Sequence, residues 1–424
     1  MTVTAFTLGS YGDVAPFVVL GRELLARGYD YRIATYEAFR ARVEGAGITF
    51  IRISGDSEEM VSLLLSDSEN GAGEGMNGIQ YLLNKYPQMY EEFYRACADS
   101  DLVIYMQFGS PAYHFAEKFG IPAIRTYVFP FELTNRYCSL SDSMKRNSLV
   151  CGFKNFMCRT LMANAAYSVM NDWRRRLGLK PNGRLHDYTR LRGEKMLTLY
   201  QYDAILAPPD PKWADCVCLT GNWTDPPQDK DFEGRDRLEA FLSAGEAPVY
   251  AGFGSMNYKD LLSLYAMVLE TVLEKTEKRI VVPEICRGLL EECFPSFRDR
   301  VALVGFVPFD YLFPRVCAAI HHGGNGTTHA ALRCGVPQLI MAFGADQMFW
   351  GGQSYYLGTG PEPVNVKKNM TKEQTEKQIL ALLSRQAYAD NAIKYSRLVS
   401  TDGARRAADI IAKRYPPAGK GIKE

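Results

Sequence analysis

Residues 318–350 read AAIHHGGNGTTHAALRCGVPQLIMAFGADQMFW, and the fold is decided here. An apolar run over 316–320 stops at His321 and His322, and a Gly-rich turn at 323–326 leads through Thr327 into a helical segment at 328–333. Strand, tight turn and helix start follow one another, with small residues where a ligand could touch backbone. The first turn of a helix has unpaired N–H groups and a partial positive charge, so this turn suits a phosphate. A second apolar run at 336–340 ends just before Gly344-Ala345-Asp346-Gln347. Ligands of open parallel α/β sheets collect at the carboxyl ends of strands, so His321/His322 and Asp346/Gln347 should face one ligand. One strand end suits a diphosphate, the other offers a carboxylate and an amide to hydroxyl groups, and a nucleotide sugar has both. Glycine turns also open helices where no phosphate binds; here, however, three of the five histidines of the chain fall in this one stretch.

Working outward, the same pattern opens the chain. Residues 3–8 form a β-prone apolar run, Gly9-Ser10-Tyr11-Gly12-Asp13 a turn, and an apolar helical period continues to Gly28; strands follow at 31–35 and 48–53. These glycines do not spell a dinucleotide fingerprint, and what stands at the strand end is Asp13 with Ser10 beside it. Both residue types favour helix N-termini, so a cap and a catalytic carboxylate are both open readings. Residues 57–100 read as helix interrupted by a loop at 70–75, 101–105 and 121–128 as strands, 138–179 mainly as helix, and 196–200 and 204–207 as short strands. The aromatic segment around Phe129 and Phe131 suits an apolar ligand or the core. Trp173-Arg174-Arg175-Arg176 reads as a solvated helix end rather than a membrane contact.

A proline-dense polar stretch then separates two halves, giving an N-terminal Rossmann-like domain at 1–207, a linker at 208–231, a second Rossmann-like domain at 232–400 and a terminal helix within 401–424. In the second half, strands are expected at 248–253 and 301–304, a helix at 235–243, and helices within 371–414.

Composition bounds the function. A chain of 424 residues with 47% hydrophobic and 23% charged residues has a full core. Net charge +1 argues against nucleic acid. Ten scattered cysteines show no zinc spacing and read as reduced thiols of a cytoplasmic protein. The first apolar run is too short for a signal peptide, and no stretch approaches the roughly 20 residues of a membrane span, so membrane contact should be at most weak and peripheral.

HHGGNGTTHAALRCGVP with GADQ downstream, and the opening GSYGDVAPFVVLGRELLARGYDYRIATYEAF, resemble nucleotide-sugar-dependent glycosyltransferases of the GT-B fold. They are most similar to the branch holding macrolide and glycopeptide-antibiotic glycosyltransferases and sterol glucosyltransferases. That resemblance implies two doubly wound α/β domains facing each other across a cleft, with the last helix crossing back to the first domain. In plant relatives the motif over Gly12-Asp13-Val14-Ala15-Pro16 holds a catalytic histidine, so Asp13 takes the place of the base, with Ser10 beside it. The resemblance also makes Ser255, His322, Gly324, Asn325, Gly326 and Thr327 donor-phosphate contacts, Asp346 and Gln347 sugar contacts, and Phe306, Val307 and Pro308 contacts of the base. Tyr11, Phe129 and Phe131 would meet the acceptor. Ala330 stands where the plant enzymes have a ribose-binding Glu, which leaves UDP against dTDP open. The activity implied is inverting transfer of a hexose, such as glucose, to a lipophilic alcohol without metal or resident cofactor. The Asp99/Asp101 pair precedes a strand and Asp229/Asp231 lie in the linker, neither placed at the donor. A nucleotide-sugar epimerase or hydrolase and an inactive partner protein of the same fold are the alternatives.

Overall fold

In the computed structural model the described residues are 1–60, 62, 74–139, 144–225, 231–254, 260–368 and 370–417. Besides single-turn helices, the first half runs β1 (Thr2–Phe6), α1 (Tyr11–Ala26), β2 (Asp30–Thr35), β3 (Thr49–Arg52), α2 (Glu74–Lys85), α3 (Met89–Ala98), β4 (Leu102–Tyr105), α4 (Ala112–Phe119), β5 (Ala123–Tyr127), α5 (Leu149–Ala163), α6 (Tyr167–Arg176), a hairpin of β6 (Arg190–Leu191) and β7 (Glu194–Lys195), β8 (Leu197–Tyr200) and β9 (Val217–Leu219). The second half runs α7 (Arg235–Ser243), β10 (Val249–Gly252), α8 (Leu261–Lys275), β11 (Ile280–Pro283), β12 (Val301–Val304), β13 (Ala318–His321), α9 (Asn325–Arg333), β14 (Gln338–Ala342), α10 (Ala345–Leu357), β15 (Val364–Asn365), α11 (Lys372–Ser384), α12 (Gln386–Ser396) and α13 (Gly403–Arg414).

Two parallel sheets result, ordered β3-β2-β1-β4-β5-β8-β9 and β12-β11-β10-β13-β14-β15. Strands such as β4, LVIY, are buried throughout because helices cover both faces of each sheet. The direction of winding reverses between β1 and β4 in one sheet and between β10 and β13 in the other. Ligand crevices form at such points. Asp13 follows β1 and His322 follows β13, so both flank a switch point.

Several stretches depart from the sequence reading. Residues 204–207 form a turn rather than a strand, because the Asp203 carboxylate accepts the N–H groups of Ile205 (3.0 Å) and Ser400 (2.7 Å). Within the proline-dense stretch, β9 pairs with β8 and Trp223 is buried edge-on to Phe17, 5.8 Å between ring centres. Arg174 is buried, not solvated: its guanidinium bonds Glu117 at 2.7 and 3.0 Å and Nδ1 of His114 at 3.0 Å. Of the loop expected at 70–75, residues 70–73 lie outside the described residues, and Glu74 begins α2. The terminal α13 packs Ala404, Ala407, Ala408 and Ile411 into the core formed by Val14, Phe17 and Val18 of α1. Arg27–Asp409, at 2.6 Å, pins it there.

Candidate active site

A cleft of about 1970 Å³ opens between the carboxyl ends of the two sheets. A single small-molecule site spans up to about 1,000 Å³, so two substrates fit side by side. Of the residues the sequence places at the site, all line it except His321 and Ser255, the latter outside the described residues.

On the first wall, Asp13 is the third residue of α1. Its Oδ2 accepts the backbone N–H (2.6 Å) and the hydroxyl (2.9 Å) of Ser10. Asp13 thus supports the helix start and lines the cleft at once, and Ser10 is an orienting donor. Gly9, at φ +142°, makes this possible: a Cβ there would lie 2.4 Å from Oδ2. Burial pushes the Asp13 carboxyl up from 3.8 to about 6, against the Ser10 hydrogen bonds that lower it; nearby Asp346 adds to the rise. A carboxylate so tuned is a proton acceptor near neutral pH.

On the second wall the three histidines part company. His321 is fully buried in a latch: Gly323 N–H donates to Nδ1 at 3.0 Å, and Nε2 lies 2.8 Å from Oε1 of Gln338. It shapes the glycine turn and does not line the cleft, contrary to the expectation that both histidines face the ligand. His329 is also buried; its Nδ1 faces the Asn325 carbonyl at 2.8 Å and Nε2 accepts the Asp203 N–H at 3.0 Å, tying the two halves together. Of these three, His322 alone lines the cleft, wedged between Gly254 and Gly324, where an added Cβ would come within 3.0 and 2.6 Å of its ring. Burial lowers His322 to about 4, so the imidazole is neutral at physiological pH. Its Nδ1 is buried without a partner among the described residues.

Gly324, Asn325, Gly326 and Thr327 form the first turn of α9 and its cap, facing the cleft. The Asn325 amide donates to the Gln201 carbonyl at 2.9 Å, and its Oδ1 is buried without a partner among the described residues. Asp346, at the start of α10, is raised by burial against hydrogen bonds from its own and the Gln347 backbone N–H. Gln347 Oε1 accepts the Phe343 N–H at 2.7 Å. Phe306, Val307 and Pro308 form the turn after β12, with Phe306 72% exposed.

Across the cleft, Phe306 meets Tyr11 edge-on, 6.4 Å between ring centres, and the Arg42 guanidinium lies 4.4 Å over the Tyr11 ring. Phe129 and the half-buried Phe131 belong to an aromatic core with Tyr127 and Tyr200 and also line the cleft. That segment thus belongs to the core and also faces the cleft. Met60, Leu82, Met89, Met162 and Met170 add an apolar half to the first wall.

Sequence reasoning missed the Asp310–Arg333 pair, and it named His114, with Ser10, only as the next proton acceptor should Asp13 prove to be a cap. Asp310 and Arg333 form an ion pair lining the cleft, with Arg333 one helical turn from Ala330; 23 residues separate the partners, so no local spacing signals the pair. His114 lines the apolar half with Nδ1 accepting from Arg174, and burial beside that cation lowers it to about 3. Its remaining proton therefore sits on Nε2, making it a donor and no proton acceptor. Among the described residues no group of three or more His, Cys, Asp or Glu could hold a metal ion.

Two facing parallel α/β domains with strand-end residues lining one cleft are the GT-B fold of glycosyltransferases. CalG4, the calicheamicin glycosyltransferase, superposes with a TM-score of 0.66 at 18% identity, covering 98% of this chain and 99% of that one. Residues 3–138 match the glycosyltransferase family 28 N-terminal domain and 277–404 the erythromycin biosynthesis protein CIII-like C-terminal domain. A sterol 3-beta-glucosyltransferase of Debaryomyces hansenii is 31% identical over 84% of this chain and 23% of its own length; one of Arabidopsis thaliana is 27% identical over 98% and 68%. The chain spans about a quarter of the length of the fungal relatives it matches. Along both halves it is similar to the branch of sterol and antibiotic glycosyltransferases that the motifs imply.

Proposed function

We propose that this chain transfers a hexose, glucose foremost, from a UDP- or dTDP-sugar to a hydroxyl of a lipophilic acceptor such as a sterol or macrolide, with inversion at the anomeric carbon. The observation that carries the reading is the carboxylate of Asp13, raised to about 6, on the same cleft as His322 and Asp346. The acceptor hydroxyl gives its proton to Asp13 as its oxygen bonds the anomeric carbon. The bond from that carbon to the diphosphate breaks, and the electron pair leaves on the diphosphate oxygen. Neutral His322, the Thr327 hydroxyl and the N–H groups opening α9 stabilise that oxygen. Asp346 and Gln347 hold sugar hydroxyls, and Phe306 to Pro308 the base. The relatives named as sterol glucosyltransferases and the apolar half of the cleft support the acceptor class. These fixed donors take the part a metal plays elsewhere. The ten free thiols fit a reducing, cytoplasmic setting.

The test is a screen of sugar nucleotides against sterols, macrolides and flavonoids, read by mass spectrometry. A glycosylated acceptor is expected. Free sugar or an epimerised nucleotide sugar without glycoside would point to the hydrolase or epimerase alternative, and no turnover of any donor to an inactive partner protein.

A further inference from the structure

The outward face of α5 is apolar where a helix on a protein surface is ordinarily polar. Leu149, Phe153, Phe156, Met157 and Leu161 are 82, 67, 45, 41 and 38% exposed. Their spacing of four, three, one and four residues puts them on one stripe of the helix. The helix is firmly seated on its other side. Asn155 is buried; its amide donates to the carbonyls of Thr134 (2.9 Å) and Tyr137 (2.8 Å), and its oxygen accepts the Ser139 N–H (3.0 Å). Ser148 caps its start by accepting the Val150 N–H at 3.2 Å. The exposure therefore belongs to a fixed surface, and a contiguous apolar stripe of this kind marks an interaction site.

We infer that this face of α5 seats on an anionic lipid bilayer. Two observations choose the bilayer over a protein. The first is charge: residues 144–163 hold Lys145, Arg146, Lys154 and Arg159 and no Asp or Glu, in a chain whose net charge is only +1. Arg159 is shared with Glu132 and Asp187, and Arg146 with Gln353 and the Tyr356 ring, yet no acid lies on the segment itself. Such a surface is drawn to anionic headgroups and repels its own image in a symmetric dimer. The second is continuity with the cleft. Lys154, Cys158, Leu161 and Met162 of the same helix line it, so Leu161 stands both on the exposed stripe and at the cavity wall. Resting on the proposed function, an acceptor dissolved in the bilayer would reach Asp13 past α5 without crossing water. The helix has 15 residues and one polar side, which suits lying in the headgroup plane, and no helix among the described residues is long and apolar enough to cross a membrane.

The test uses the full chain and vesicles free of any acceptor. Co-sedimentation is measured with vesicles of phosphatidylcholine alone and with roughly a third phosphatidylserine. The wild type is expected to pellet with the anionic vesicles, less so in high salt, and Phe153→Ser/Phe156→Ser to lose about tenfold or more in partitioning. Both phenylalanines are exposed, so thermal melting and nucleoside diphosphate binding of the variant should match wild type. A wild type that stays in the supernatant, or a variant that pellets equally, overturns the inference. So does light scattering that finds a wild-type dimer made monomeric by the substitutions. Vesicle binding without sugar transfer to any acceptor would sink the proposed function and leave the membrane face standing.

Discussion

Asp13→Asn should make the protein more stable and nearly inactive at the same pH. Raising the Asp13 carboxyl from 3.8 to about 6 places a penalty of about 3 kcal/mol on its charged form in the folded state. The sign follows from the direction of the rise. Above about pH 6 the folded chain carries the penalty in full; as pH falls through 6 towards 3.8 the folded carboxyl takes up its proton first, and below about 4 the penalty is gone. Asparagine has no charge to desolvate and keeps an oxygen to accept the Ser10 N–H, now at 2.6 Å from Oδ2. It loses the interaction of a charge with the helix start, worth about 0.5–1 kcal/mol, and partial exposure of the site screens the rest. The net expectation is a gain of about 1–2 kcal/mol at pH 7.5, shrinking to none near pH 4. Turnover should drop by about two to four orders of magnitude, because the proton acceptor is gone while the donor site is untouched. Urea denaturation at the two pH values and mass-spectrometric rates measure both, and the wild-type kcat/KM should rise with pH through about 6, a limb the variant lacks. A variant less stable at pH 7.5 that keeps its turnover would show that Asp13 only caps α1.

His322→Ala should weaken nucleoside diphosphate binding by about tenfold or more with little change in stability, and unchanged affinity by calorimetry would remove it from the donor site. His329→Ala should do the reverse, costing about 2–3 kcal/mol in urea denaturation because the Asp203 N–H and Asn325 carbonyl lose a buried partner; a variant as stable as wild type would refute the tie that His329 makes between the two halves. Asp346→Ala should lower transfer more than it lowers binding of the bare nucleotide, since bonds from a charged group to sugar hydroxyls contribute about 1.5–3 kcal/mol; equal losses would place Asp346 away from the sugar. His114→Phe keeps a ring and removes the Nε2 donor, so the acceptor KM should rise about tenfold with the nucleotide-sugar KM unchanged, and an unchanged acceptor KM would assign His114 to packing alone.

Local patterns were legible where one chain segment decides them. The strand–turn–helix units at β1–α1 and β13–α9 and the strand β12 stand where apolar runs and glycines place them. What stayed hidden depends on partners distant in sequence. The four residues of β11 become a central strand only because β10 and β12 flank them. Strand β9 lies in linker-like composition and is recruited by pairing with β8. The cluster of three histidines pointed to the cleft that His322 lines, but composition could not tell that His321 and His329 are spent on Gln338 and Asp203. Arg174 looked like a solvated helix end because Glu117, 57 residues earlier, gave no local sign of being its counter-ion.

The glycines around the cleft have a cause beyond turn geometry. At Gly9 a side chain would strike the Asp13 carboxylate, and at Gly254 and Gly324 it would strike the His322 ring. Each of the two side chains is thus packed against bare backbone, which lets it be largely removed from water without a neighbouring side chain filling the cleft. Desolvation in turn sets both charges: it lifts Asp13 towards neutrality and keeps His322 uncharged. A cationic His322 would attract the ground-state nucleotide sugar almost as strongly as the departing diphosphate. A neutral one gains most when charge develops on the leaving oxygen, and interactions that strengthen towards the transition state are those that raise kcat. On the proposed function, the backbone glycines and the two perturbed side chains act together, and a Cβ at Gly324 should harm catalysis by displacing the His322 ring as well as by crowding the start of α9.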